Sequence, residues 1–271
     1  MTMSFAMLTR FVLRATALNI RARMQYRGEF LLEIFNGILW QTSVLVFVMV
    51  ILAEFPGMAG WSSSEILLIA SMRMLSHALF ALFFSNIVKV PFMVLDGKFD
   101  GYLTRPLPAY LQVLTSSFGV HALGDLLVAG GLLGWALTNV PVAWSTVTVL
   151  YLVVSVLSGA LLEAALHTLI ACRGLRRPGS DAFSVWVDEL MATFGSYPLG
   201  IFPGPVKAVF TYLLPLAFVA YLPASAVLGH APADGAAHWL AVLSPALGIA
   251  LFALATGVWR KSLKHYSSPG G

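Results

Sequence analysis

The feature that most constrains this chain is a succession of apolar runs, separated by short stretches that hold nearly all of its Lys and Arg. A hydrocarbon layer about 30 Å thick is crossed by a helix of about 20 apolar residues. In lipid, only helices and closed barrels satisfy every backbone N–H and C=O. Runs of this length predict an all-α integral membrane protein. Composition argues against a soluble fold: 59% of residues are hydrophobic and 10% charged, with mean hydropathy +0.85. Soluble domains have roughly 45–50% and 25%, and a fold this apolar in water would expose aggregating patches. Cys172 is the lone cysteine, so no disulfide forms within the chain, and it is assigned no redox role.

Six spans are predicted, at about 30–53, 65–87, 113–137, 146–171, 182–202 and 238–259. Ahead of them, 4–25 reads as an amphipathic helix. At about 100° per residue, Arg10, Arg14 and Arg21 share a face while Leu8, Phe11, Ala15, Leu18 and Ala22 form a separate stripe. That pattern suits a helix lying in the cytoplasmic interface; a solvated basic arm is the other reading. Arginines at 10, 14, 21, 23 and 27 interrupt any leader-like apolar core, so the first span is expected to serve as its own insertion signal.

Residues 181–237 offer two candidate helices, 182–201 and 206–229, divided by Pro203, Gly204 and Pro205. The second is broken again by Pro215 and Pro223. Proline leaves an upstream carbonyl without its donor, and broken backbone at membrane depth needs cover from protein or a wet cavity. The expectation is that 182–202 spans while 205–229 forms two short re-entrant helices dipping from the outer face. Fourteen of the sixteen Lys and Arg then lie on one side; Arg73 is inside a span and Lys207 alone falls opposite. This skew places both termini in the cytoplasm. The chain, 1–271, reads as one domain without internal repeats.

Few residues suggest chemistry. Gly97-Lys98 is followed by Phe99 and lacks the upstream glycine of a phosphate-cradling loop, so no ATP site is expected here. Ser158 and His167 lie nine residues apart in one helix, on opposite faces and about 13 Å apart along the axis, which excludes a serine-protease pair. No metal-ligand set is picked out, and no nucleic-acid partner is expected. The intramembrane polar residues are Arg73, His77, Asp125, Glu163 and His167. Arg73/His77 and Glu163/His167 are each four apart and share a helix face. Arg73 is within reach of Asp125, and a pair between them would fix helix register or line a polar path. Asp188 and Glu189 are expected near the cytoplasmic mouth of the fifth span, and Trp61, Trp144 and Trp239 read as interface anchors.

The stretch Val94 to Pro108 alternates charges with Phe99, Tyr102 and Leu103 between glycines and a proline stop. An apolar ridge with charged flanks suits docking into a groove of a soluble partner; an ordinary interfacial loop is the alternative. Leu95-Asp96-Gly97-Lys98-Phe99-Asp100, then Leu103 and Arg105-Pro106-Leu107, resembles the segment between the second and third spans of ABC transporter type 2 permeases, in the branch of two-gene bacterial exporters. Two further blocks resemble that family. One is Tyr197-Pro198-Leu199-Gly200-Ile201-Phe202-Pro203 with Leu214 to Phe218 and Tyr221 to Ala224; the other is Trp259 with Lys264, Tyr266, Ser267, Ser268 and Gly270.

The resemblance implies a dimeric permease with an elbow helix at 4–25 and a coupling helix near 94–105. Leu95, Asp96, Gly97, Lys98, Phe99, Asp100, Leu103, Arg105 and Pro106 would contact an ATP-binding subunit that carries ATP and Mg. The second permease would be identical or a non-identical homologue, and both would sit in the bacterial inner-membrane bilayer. Pro203, Pro215 and Pro223 would belong to an outer gate, and the cargo would be a drug, antibiotic or lipid moved outward. A non-transporting membrane scaffold is the rival from another class. A proton-coupled secondary transporter is a third reading, disfavoured by sparse intramembrane carboxylates and the lack of inverted repeats.

Overall fold

The computed structural model describes residues 5–176, 182–231 and 234–267. Readings that rest on Arg177, Pro178, Gly179, Ser268 and Gly270 lie outside the described residues. The fold is all-α apart from one small hairpin. Helix α1 (Phe5–Met24) turns directly into α2 (Arg27–Glu54). The hairpin, β1 (Gly57–Met58) and β2 (Trp61–Ser62), is closed by Ala59 and Gly60, both at positive φ, as a tight two-residue turn requires. Ser62 then caps α3 (Ser63–Phe83), with its backbone N–H donating to Glu65 Oε2 at 2.8 Å. The run of serines ahead of Glu65 is thus the start signal of this helix.

Five helices among the described residues are long and apolar enough to cross a membrane: α2, α3, α7 (His121–Asn139), α8 (Thr146–Arg176) and α13 (Ser244–Leu263). Between α3 and α7 lie a 3-10 turn (Ser85–Lys89) and three short helices, α4 (Val90–Leu95), α5 (Asp100–Leu103) and α6 (Ala109–Leu114). Helix α3 is the hub, buried from Ile66 to Met74. By contrast α2 buries only Gly37, Gln41, Val48 and Leu52, so most of its apolar surface faces outward, as lipid permits.

Small residues set the closest crossings. A Cβ at Gly37 would strike the His121 carbonyl, and one at Gly124 the Ile34 carbonyl. Helices α2 and α7 therefore meet backbone to backbone, the kind of approach that drives association where no hydrophobic effect acts between helices. Hydroxyls add cross-helix ties: Ser76 Oγ donates to Val156 O at 3.0 Å, and Ser158 Oγ to Pro245 O at 2.5 Å.

Three expected spans differ in the structure; the one expected at 238–259 runs from Ser244 to Leu263, with a separate short helix, Ala236–Val242, ahead of it. The helix expected at 113–137 begins only at His121, because Thr115 and Ser116 turn their hydroxyls onto the Leu111 and Val113 carbonyls. Such local bonds compete with helix continuation. Asn86 Nδ2 takes up the Leu114 and Ser117 carbonyls at 2.9 and 2.7 Å, which stabilises the break.

Over 182–202, helix α9 (Ala182–Phe194) has only 13 residues, about 20 Å by helical rise. Gly195 to Pro198 ends it, and the chain continues irregularly to Gly200, whose Cβ position touches Ala59 of the hairpin. The segment thus runs from one end of the bundle to the other, but only partly as helix.

Next come α10 (Gly204–Ala208), a π turn (Val209–Leu213), a 3-10 turn (Leu216–Phe218) and α11 (Tyr221–Val227), with a bend of 71° around Pro215. This V enters beside the hairpin and returns to it, where His230 stacks on Trp61 at 4.3 Å. Between these points Val219 O lies against Gly159 in the middle of α8. Both ends of the V thus lie at the hairpin; its apex, Pro215 to Ala220, is buried, while the π turn leaves Tyr212 and Leu213 exposed. Helix α12 (Ala236–Val242) leads into α13.

Candidate functional site

At the bundle end that collects α1, residues 84–120 and the C-terminal end of α13, the segment 90–106 forms a knuckle. Gly97, at φ 68°, terminates α4, and α5 is a single turn. The helix expected near 94–105 is therefore two short pieces joined at Gly97-Lys98. The ridge is also arranged differently. Phe99 is fully buried, its ring set edge-on to Trp259 at 6.0 Å and to Tyr266 at 5.3 Å. Tyr110 packs edge-on to Trp259 at 5.3 Å from the other side. Asp100 accepts a hydrogen bond from Tyr266 Oη at 2.8 Å. Phe99 and Asp100 thus fasten the knuckle to the bundle and are poor candidates for direct contact with a partner.

What the knuckle presents outward is Phe92, Leu95, Asp96, Gly97, Lys98, Leu103, Arg105 and Pro106. Lys98 Nζ lies 2.7 Å from Asp96 Oδ2 on the open surface. That hydrogen bond holds the lysine above its usual value, but an exposed pair contributes little to stability, so both groups are free to exchange partners. Arg105 lies over the Tyr102 ring at 6.0 Å. Sequence reasoning identified the segment but missed the aromatic knot behind it. The signal was present as aromatic residues at 99, 110, 259 and 266, in two blocks remote from each other in sequence.

The intramembrane polar residues converge in part. His77 Nδ1 is 2.6 Å from Glu163 Oε1, joining α3 to α8. His167 Nδ1 is 3.2 Å from Ser184 Oγ, and its Nε2 is 2.8 Å from Asp188 Oδ1. The last contact is close but not aligned as a hydrogen bond, and both atoms are otherwise without partners. The expected Arg73–Asp125 pair is absent among the described residues. Arg73 is buried, and the carboxylates acting on it are, in order, Glu163, Asp188 and Asp125. Asp125 is itself buried and feels His77 and His121 before Arg73. The stem of Arg73 packs against Gly195, where a Cβ would come within 3.3 Å of its Cγ. Asp188, expected near a cytoplasmic mouth, is partly exposed and reaches His167 of this cluster, while Glu189 is exposed. Helical register alone could not show that α9 turns Ser184 and Asp188 toward α8.

The three expected gate prolines divide by role. Pro203 precedes α10, Pro215 sits at the bend, and Pro223 lies in the first turn of α11, where a missing N–H sacrifices no helical bond. Pro215 alone marks a break at depth.

A family model described as ABC-2 family transporter protein matches residues 38–270. No curated protein and no solved structure matches the chain.

Proposed function

The chain belongs to the ABC-2 family of transporter proteins, and from that premise we propose that it is the permease subunit of an ATP-driven exporter in a bacterial inner membrane. Membership makes it a membrane permease with a transport role in an ABC transporter and implies ATP-binding subunits as partners. The finer reading is that a separate subunit carrying ATP and Mg grips the knuckle, with both termini on the cytoplasmic side. A second permease, identical or homologous, completes the path, and a hydrophobic or amphiphilic molecule moves outward. The two-permease arrangement suits the mostly exposed apolar face of α2, which has room for a neighbour.

The observation that carries the reading is the build of the knuckle. Exposed Phe92, Leu95 and Leu103 are flanked by Lys98 and Arg105, while buried Phe99 ties the same segment to Trp259 of α13. A surface that binds on one side and is rigidly packed on the other transmits a push into the helices. Closure of the ATPase pair would then tilt α3, α8 and α13 and open a path toward the V around Pro215.

Co-purification with an ATPase chain, and ATP-dependent flux of a fluorescent amphiphile in liposomes, test the proposal. Arg105→Glu should abolish flux and weaken ATPase association while leaving insertion intact. Full flux in that variant, or a purified assembly without an ATPase, overturns it.

A further inference from the structure

We propose that Glu163, His167 and Asp188 bind a divalent transition-metal ion that staples the short helix α9 to α8 inside the membrane. One ligand atom from each residue lies within 4.8 Å of the other two. Tetrahedral coordination at about 2.0–2.1 Å puts ligand atoms about 3.3–3.4 Å apart. The separations here, from the 2.8 Å His167–Asp188 contact up to that limit, bracket this value and need only small side-chain shifts.

Three further observations point to an ion. First, Glu163 Oε2, His167 Nε2 and Asp188 Oδ1 are all buried without a hydrogen-bond partner, a costly state for polar atoms in a bundle interior. Second, the opposite atom of two ligands is already held. His77 Nδ1 lies on Glu163 Oε1 at 2.6 Å, and Ser184 Oγ on His167 Nδ1 at 3.2 Å. Orienting partners on the far side of ligating groups are the usual support of a metal site, and they direct the free lone pairs inward.

The third observation is charge. Three carboxylates, Asp125, Glu163 and Asp188, act on one buried guanidinium, Arg73. A bound cation would balance such an excess of acidic side chains, as a membrane interior favours. One imidazole and two carboxylates suit Zn²⁺ or Mn²⁺ over Mg²⁺. This site does not depend on whether an ATPase engages the knuckle.

The test uses the full chain in lipid nanodiscs, purified on a tag without histidine. It is titrated with Zn²⁺ and Mn²⁺, and with Co²⁺ for its ligand-field absorption. One tightly held ion per chain is expected, with Co²⁺ bands of low coordination number. Asp188→Asn and His167→Ala should each lower affinity by about 100-fold or more. Ser184→Ala should lower it less, and His265→Ala, on the exposed tail, should leave it unchanged. Asp188 is partly exposed, so its amide variant tests the site even if His167→Ala fails to fold. Absence of stoichiometric binding overturns the proposal, as does binding indifferent to both Asp188→Asn and His167→Ala.

Discussion

Phe99→Ala separates a packed knuckle from a loop that merely rests on the bundle. The ring is fully buried and faces Trp259, Tyr266 and Tyr102 at 6.0, 5.3 and 6.2 Å. Truncating a core phenylalanine costs about 3–5 kcal/mol. The site lies at a bundle end, where an opened segment meets water and the full transfer cost applies. At about 1.4 kcal/mol per tenfold, opening of 96–104 should become roughly two to three and a half orders of magnitude more frequent. Hydrogen–deuterium exchange of the amides at Phe99, Tyr102 and Thr104, whose hydrogen bonds to Met93 O, Phe99 O and Asp100 O measure 3.0, 3.0 and 3.3 Å, reads this directly. Phe99→Leu should show a smaller rise because it keeps most of the volume. Lys98→Ala, on the open surface, should change stability by no more than about 0.5 kcal/mol. If Phe99→Ala exchanges like the parent while remaining folded, the aromatic knot does not hold the knuckle, and the mechanical argument for coupling fails with it.

Other perturbations probe the remaining elements. His77→Ala removes the partner of Glu163 Oε1 and should destabilise the bundle by about 1–3 kcal/mol, the cost of a buried acceptor left unsatisfied. It would be read as a lower melting temperature in detergent; an unchanged value would mean that the pair contributes nothing. Gly124→Val should disrupt the α2–α7 crossing by about 1–3 kcal/mol or more, whereas Gly130→Val, with open space around it, should be silent in the same melting assay. In a Cys172→Ser background, Tyr212→Cys should react with an impermeant maleimide added outside intact cells, and Leu103→Cys only after permeabilisation. Labelling of both from the same side would refute the proposed orientation.

How much was legible in the sequence depended on the range over which each signal acts. Long runs of one hydropathy are local, so α2, α3 and α8 could be read from single windows. So could the start of α3, because its capping serine and Glu65 are three residues apart. The breaks were harder, since each is settled by a distant side chain. Thr115 ends a helix partly because Asn86, on another segment, donates to the exposed Leu114 and Ser117 carbonyls. The end of α9 at Phe194 is joined to Arg73, whose stem occupies the space left by Gly195.

The two candidate sites obey the same rule. The knuckle was visible as a stretch, but its direction was not: Phe99 faces inward because Trp259 and Tyr266 wait there, more than a hundred and fifty residues along the chain. In the polar cluster, Glu163 and His167 announced themselves by spacing on one helix, while Asp188 needed the fold. A charge in a membrane protein is interpretable only with its counter-charges, and those are tertiary facts. Pairing Arg73 with Asp125 rested on reach along two helices, and the pair is absent among the described residues, where Glu163 meets His77 and Asp188 meets His167. The unpartnered Glu163, His167 and Asp188 atoms that converge from α8 and α9 are the ones the proposed ion would join.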